Sequence, residues 1–161
     1  MKYMARRKRY RLPMYDYSED GVYFVTICTD QRQKCFSYVS RGGVLPRPFG
    51  KVVENELLAL PERYGVVIDK HIVMPNHVHI LLTIQRAGQS PAPTRDLSSI
   101  IGAFKSRTTK TVNRMMNTPG WKLWQRSYFD HIIRNEEDYL RIWQYIDTNP
   151  AQWAEDEYYI N

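Results

Sequence analysis

The chain reads as an α+β protein, an antiparallel sheet on the split β-α-β plan with helices on one face. Three observations support this. Short runs of β-branched and aromatic residues alternate with longer segments whose apolar residues recur at helical spacing. Turn and cap residues stand where one period gives way to the other. The segments follow one another in the order β-α-β-β-α-β-α.

The first strand is Val22-Tyr23-Phe24-Val25-Thr26-Ile27-Cys28-Thr29. Arg41-Gly42-Gly43 and the prolines Pro46 and Pro48 mark a loop. A helix is expected over 49–64, with Val52, Val53, Leu57 and Leu60 on its apolar side and Gly65 as its stop. The second strand is Val66–Val73, and Met74-Pro75-Asn76 turns the chain into the third, His77–Ile84. Residues 87–94 hold Gly, Ser and two Pro and read as a surface loop. A second helix opens at Asp96 and runs to about Met115; it carries Lys105, Arg107, Lys110 and Arg114. After a loop at 117–120, residues 127–133 form the fourth strand. Asn135 caps a last helix whose first turn is Glu136-Glu137-Asp138, acidic where the helix dipole favours acid. Pro150 disfavours the α conformation at Asn149, so this helix should end there. The order is that of a ferredoxin-like sheet, whose second face would be open.

Bulk properties narrow the function. A length of 161 residues suits one domain with a real core. The expected division is a basic arm over 1–14 and a single domain over 15–161. No apolar run approaches the roughly 18–20 residues that span a bilayer, so no membrane role is expected. The first nine residues are basic with no apolar segment behind them, unlike a secretory signal. Cys28 and Cys35 make no metal-ligand spacing, and a reducing cytoplasm is the expected setting. A net charge of +6, with twelve Tyr and four Trp among 23 Lys and Arg, favours a single-stranded nucleic acid as partner.

The chemistry centres on Met74-Pro75-Asn76-His77-Val78-His79-Ile80-Leu81-Leu82. Residues i and i+2 of a strand share a face, so His77 and His79 present two imidazoles side by side. From spacing alone such a pair is more often structural than metal-binding. Two histidines do not saturate Mg²⁺ or Mn²⁺, which want about six ligands, mostly oxygen. Tyr145 and Asn149, four apart, share one face of the last helix. Asn149 could supply a third ligand through its amide oxygen. Tyr145 would then stand near a metal-polarised phosphate, and its phenol becomes a useful nucleophile there. The product would be a covalent phosphotyrosine that conserves the bond energy for rejoining. Among twelve tyrosines, a core role is the commoner one, and the cationic stripe on the second helix is more often a solvated face. A histidine-triad hydrolase would need a third alternate histidine, where Leu81 stands. A zinc site lacks a cysteine or glutamate to complete it.

The His-Val-His box resembles the His-hydrophobic-His (HUH) motif of single-tyrosine, single-strand DNA transposases. Two further stretches resemble the REP-associated tyrosine transposases among them. One is 15–29, the opening strand. The other is Trp124-Gln125-Arg126-Ser127-Tyr128-Phe129-Asp130-His131 onward to Tyr145-Ile146-Asp147-Thr148-Asn149-Pro150. The resemblance covers nearly the whole chain after the basic arm and implies an HUH endonuclease fold using Mg²⁺ or Mn²⁺. It implies His77, His79 and Asn149 as metal ligands. Tyr145 would be the nucleophile, taking a 5′-phosphotyrosine link and leaving a free 3′-hydroxyl. Insertion-sequence relatives usually place Gln where Asn149 stands; Asn suits the REP-associated branch. The implied substrate is single-stranded DNA with an imperfect hairpin and a short guide tetranucleotide at its foot. Arg6, Arg7, Lys8, Arg9 and Arg11 would grip phosphates, making binding steeply salt-dependent. Lys105, Arg107 and Arg126 would add cationic contacts, and Tyr128 a stacking face. Tyr139 lies six residues before Tyr145 and faces another side of the helix. The resemblance implies a bacterial, cytoplasmic and nucleoid-associated enzyme, monomer or homodimer. Two other readings are an insertion-sequence transposase acting as an obligate dimer and a non-catalytic nucleic-acid-binding module.

Overall fold

The structure is a computed structural model that describes residues 21–40, 43–85 and 96–155. Strands β1 (Gly21–Cys28), β4 (Val66–Val73), β5 (His77–Ile84) and β6 (Phe129–Ile133) form one sheet in the order β4-β5-β1-β6, with every neighbouring pair antiparallel. Each β-α-β unit is therefore split by a strand from the other, as the element order predicts. The basic arm, with Arg6, Arg7, Lys8, Arg9 and Arg11, and the loop at 87–94 lie outside the described residues.

Alternation along β1 and β5 gives the sheet two apolar faces. Tyr23, Val25 and Ile27 join Val78, Ile80 and Leu82 on one face. There they meet Val53 and Leu57 of α1 (Pro48–Leu58) and Ile100, Ile101 and Phe104 of α3 (Leu97–Met116). Phe24 and Leu81 point the other way. That second face is not open. Ile142 and Ile146 of α4 (Glu136–Thr148) pack onto Phe24 and Leu81 and close it. The sequence could not show this, because α4 alternates apolar and polar positions as any half-buried helix does.

Local chemistry sets the boundaries. The Asp96 side chain accepts the Ser99 N–H at 2.8 Å and opens α3. The Asn135 side chain accepts the Asp138 N–H at 2.8 Å and opens α4. Both are N-caps of the expected kind. The helix expected over 49–64 is instead two, α1 and α2 (Leu60–Tyr64), meeting at Ala59. Pro61 has no N–H to give the Leu57 carbonyl, and its ring crowds that carbonyl. Gly65, at φ 65°, then ends α2 in the left-handed region.

The segment expected as a loop around Gly43 and Pro46 contains a small hairpin, β2 (Ser37–Ser40) with β3 (Gly43–Pro46). Pro46 sits at the last position of β3, where a missing N–H is tolerated. Behind the hairpin, α1 passes so close to Phe36 that a Cβ on Gly50 would lie 2.0 Å from the Phe36 carbonyl oxygen.

Candidate active site

The antiparallel register places Thr26 opposite His79 and Cys28 opposite His77. Thr26, His77 and His79 thus share the face that α4 covers, and all three are buried. The two imidazoles meet, with Nε2 to Nε2 at 3.1 Å. Each ring is held from behind. His77 Nδ1 lies 2.9 Å from Asn76 Oδ1, and His79 Nδ1 lies 2.8 Å from Thr26 Oγ1. An amide oxygen only accepts, so His77 Nδ1 carries a proton and its Nε2 offers a lone pair. His79 Nε2–H donates to that lone pair, and the Thr26 hydroxyl donates to His79 Nδ1. A hydroxyl both donates and accepts, so Thr26 also suits the opposite tautomer, in which both Nε2 atoms face outward as lone pairs.

The pair meets the geometric test for a divalent ion. Two adjacent ligands at about 2.1 Å in octahedral geometry lie about 3.0 Å apart, close to the 3.1 Å found here. Metal-binding histidines also have their second nitrogen fixed by a partner, as both do here. Burial holds His77 far below the usual imidazole range; the neighbouring His79 adds to the shift and a hydrogen bond with the Asn149 side chain opposes it. Burial also pushes His79 down to about 3. Both rings are therefore neutral at pH 7, the form that ligates metals. Among the described residues no group of three or more His, Cys, Asp or Glu could hold an ion. The third protein ligand available is the buried amide of Asn149 beside His77.

Helix α4 brings Tyr145 to the same place. Its ring lies 5.3 Å from that of His79 and 6.0 Å, edge-on, from Phe24, which itself touches His79 at 5.3 Å. Asn149 keeps the αR conformation (φ −56°, ψ −42°) despite Pro150. The chain then tightens into a 3₁₀ segment over Asn149–Glu155, kinked at Gln152. Tyr145 and Asn149 therefore stay one turn apart on one face, as their spacing predicts.

The other two tyrosines near the motif go elsewhere. Tyr139 Oη donates to Asp69 at 3.2 Å; burial, then the Asp69 charge, raises its pKa. Tyr128 packs against the core on the opposite face of the sheet from the histidines. Lys105 donates to the carbonyls of Gln125 (2.7 Å) and Arg126 (3.2 Å), bracing α3 against the segment before β6. Arg107 and Arg126 are exposed.

Four residues of the site escaped the sequence reading. Thr26 is a polar residue inside an apolar strand, a pattern that signals a buried partner. Asn76 reads as turn chemistry but anchors His77. Phe24 buttresses both His79 and Tyr145. Trp153, in the C-terminal 3₁₀ turn, lies 5.9 Å from the His77 ring, and no motif marks it.

The family described as "Transposase IS200 like" matches residues 21–149, from the first strand to Asn149. An uncharacterised Haemophilus influenzae protein is 32% identical over 171 aligned residues, covering 96% of this chain and 94% of its own. A second H. influenzae protein, named "Putative REP-associated tyrosine transposase", is 24% identical, covering 85% of this chain and 74% of its own. Among solved structures, a REP-associated tyrosine transposase bound to a REP hairpin shares the fold, with a TM-score of 0.62 and 20% identity. The match covers 93% of this chain and 74% of that one.

Proposed function

The chain belongs to the IS200-like transposase family, and on that premise we propose that it is a REP-associated tyrosine transposase that cuts and rejoins single-stranded hairpin DNA. The observation that carries this reading is the meeting of Tyr145 with the paired histidines, 5.3 Å from His79 and one helical turn from Asn149. A nucleophile beside a divalent-cation site is the equipment of phosphoryl transfer. The relative bound to a REP hairpin supports a hairpin substrate.

His77, His79 and Asn149 would hold Mg²⁺ or Mn²⁺, which when bound would draw charge from the scissile phosphate and orient it. Tyr145 Oη attacks the phosphorus, forming an O–P bond. The P–O3′ bond breaks, and the phenolic proton passes to the departing 3′ oxygen. The 5′ phosphate stays on Tyr145. Rejoining reverses these steps, with a 3′-hydroxyl attacking and the tyrosine leaving. Phe24 and the packing of α4 hold the Tyr145 ring beside His79, which limits the positions its phenol must search.

The test is a denaturing gel of labelled, hairpin-bearing single-stranded DNA from the gene's flanks, incubated with Mn²⁺. Wild type should cleave and form a protein–DNA adduct; Tyr145→Phe should do neither. An adduct that survives in Tyr145→Phe would refute the assignment of the nucleophile. Tight binding with no cleavage by wild type would favour a non-catalytic binding module.

A further inference from the structure

Immediately after β1 the chain does something costly. Gln31 (φ 51°, ψ 22°) and Arg32 (φ 53°) are consecutive residues in the left-handed region, and neither is glycine. Such conformations persist only where the surroundings over-determine them, and they gather at functional sites.

Here the constraints are visible. The Thr29 N–H and hydroxyl both donate to the Asn76 carbonyl, at 2.9 and 3.1 Å. Asp30 N–H donates to the Leu123 carbonyl at 2.9 Å, and the Asp30 carboxylate meets Lys122 at 3.2 Å. Asn76 Nδ2 donates to the Arg32 carbonyl at 3.3 Å. The other end of that fully buried amide accepts from His77 Nδ1. One side chain thus fixes both the orientation of a candidate metal ligand and the backbone of Arg32.

The Arg32 side chain is exposed. The Arg32 backbone carbonyl and the His77 ring are joined through one side chain, that of Asn76. A guanidinium is suited to phosphate, which it can grip through two parallel hydrogen bonds. The loop stands next to the histidines, because β1 ends beside the start of β5, with Cys28 opposite His77.

We propose that Arg32 is a phosphate-binding residue of the site, holding a backbone phosphate next to the scissile one. This rests on the function proposed above. Asn76 is its positioning residue, tying the phosphate clamp to His77.

The test uses Arg32→Gly and Arg32→Lys. Glycine accepts the left-handed backbone, so Arg32→Gly removes the guanidinium without disturbing the loop, and its melting temperature should equal or exceed that of wild type. Affinity for a labelled single-stranded oligonucleotide is measured in a Tyr145→Phe background between about 50 and 200 mM salt; losing one phosphate contact should lower the slope of log K against log salt by about 0.7. Arg32→Lys should restore that slope. Single-turnover cleavage by Arg32→Gly in the Tyr145 background should fall about tenfold or more, with partial recovery for lysine. An unchanged slope in Arg32→Gly, or a slope lost equally in the lysine variant, would overturn the proposal. If wild type forms no adduct, the proposed function fails, while the salt slope still decides the role of Arg32.

Discussion

Thr26→Val probes how the histidine pair is tuned. Valine keeps the shape of threonine but offers no hydrogen bond. Burial holds His79 neutral, with a pKa near 3, so its ring carries one N–H whose position the neighbours decide. Thr26 Oγ1, 2.8 Å from Nδ1, is the neighbour able to serve either tautomer. In metal-free protein, Thr26→Val leaves Nδ1 as a buried acceptor without its partner, at a cost of about 1–3 kcal/mol. For a chain of this size that is about 3–10 °C in melting temperature. Metal binding needs Nδ1–H, and with valine that N–H has no acceptor. A loss of about 1.4 kcal/mol is a factor of ten, so Mn²⁺ affinity should fall by about tenfold to a hundredfold, in line with other ligand-orienting partners. Calorimetric titration with Mn²⁺ and thermal unfolding measure the two effects. Thr26→Ser, which restores the hydroxyl, should recover the affinity. A Thr26→Val protein that binds Mn²⁺ within about twofold of wild type would show that this hydroxyl does not support the Nδ1–H form that metal binding needs.

Three further outcomes are expected. Tyr139→Phe should retain cleavage and the DNA adduct, because its phenol is committed to Asp69; the gel used for Tyr145→Phe reads this directly. Gly50→Ala should destabilise by about 3 kcal/mol or more, seen as an early denaturant midpoint, because the new methyl meets a main-chain carbonyl that lies only 2.0 Å away. Burial would raise the Asp138 pKa, but hydrogen bonds from His131 and Arg141 outweigh it and lower the value. The stability this contributes is therefore full above the unfolded carboxylate range and is lost as pH falls through the lower folded value. Asp138→Asn should be less stable at neutral pH and lose less on acidification below about pH 4, as melting curves across that range would record.

The side-by-side histidine pair was legible because a period of two on a strand puts His77 and His79 on one face whatever the rest of the fold does. The pairing of Tyr145 with Asn149 was legible for the same reason, from a helical period. The bounds of β4 and β5 followed from the flanking Gly65 and the Met74-Pro75-Asn76 turn. Less was readable where local signals conflicted. Gly43 and Pro46 looked like loop residues, yet they begin and end β3, whose pairing with β2 outweighs their weak strand preference. Pro61 inside an apolar helical pattern marked a break that the periodicity obscured. Lys105 stood in a cationic stripe along its helix, and the reach of its ammonium to the Gln125 and Arg126 carbonyls was not readable from that spacing.

By itself, then, the sequence determined the class of fold, the strand carrying the histidines and the helix carrying Tyr145 and Asn149, because each depends on repeats a few residues long. Tertiary structure decided where those two elements meet. Only the register of β1 against β5 puts Thr26 behind His79, and only packing of Ile142 and Ile146 on Phe24 and Leu81 lays α4 across the histidine face. The same is true of the buried Asn76, which bonds both His77 and Arg32. Contacts across some 44 to 70 positions depend on how whole faces pack, and no local period encodes them.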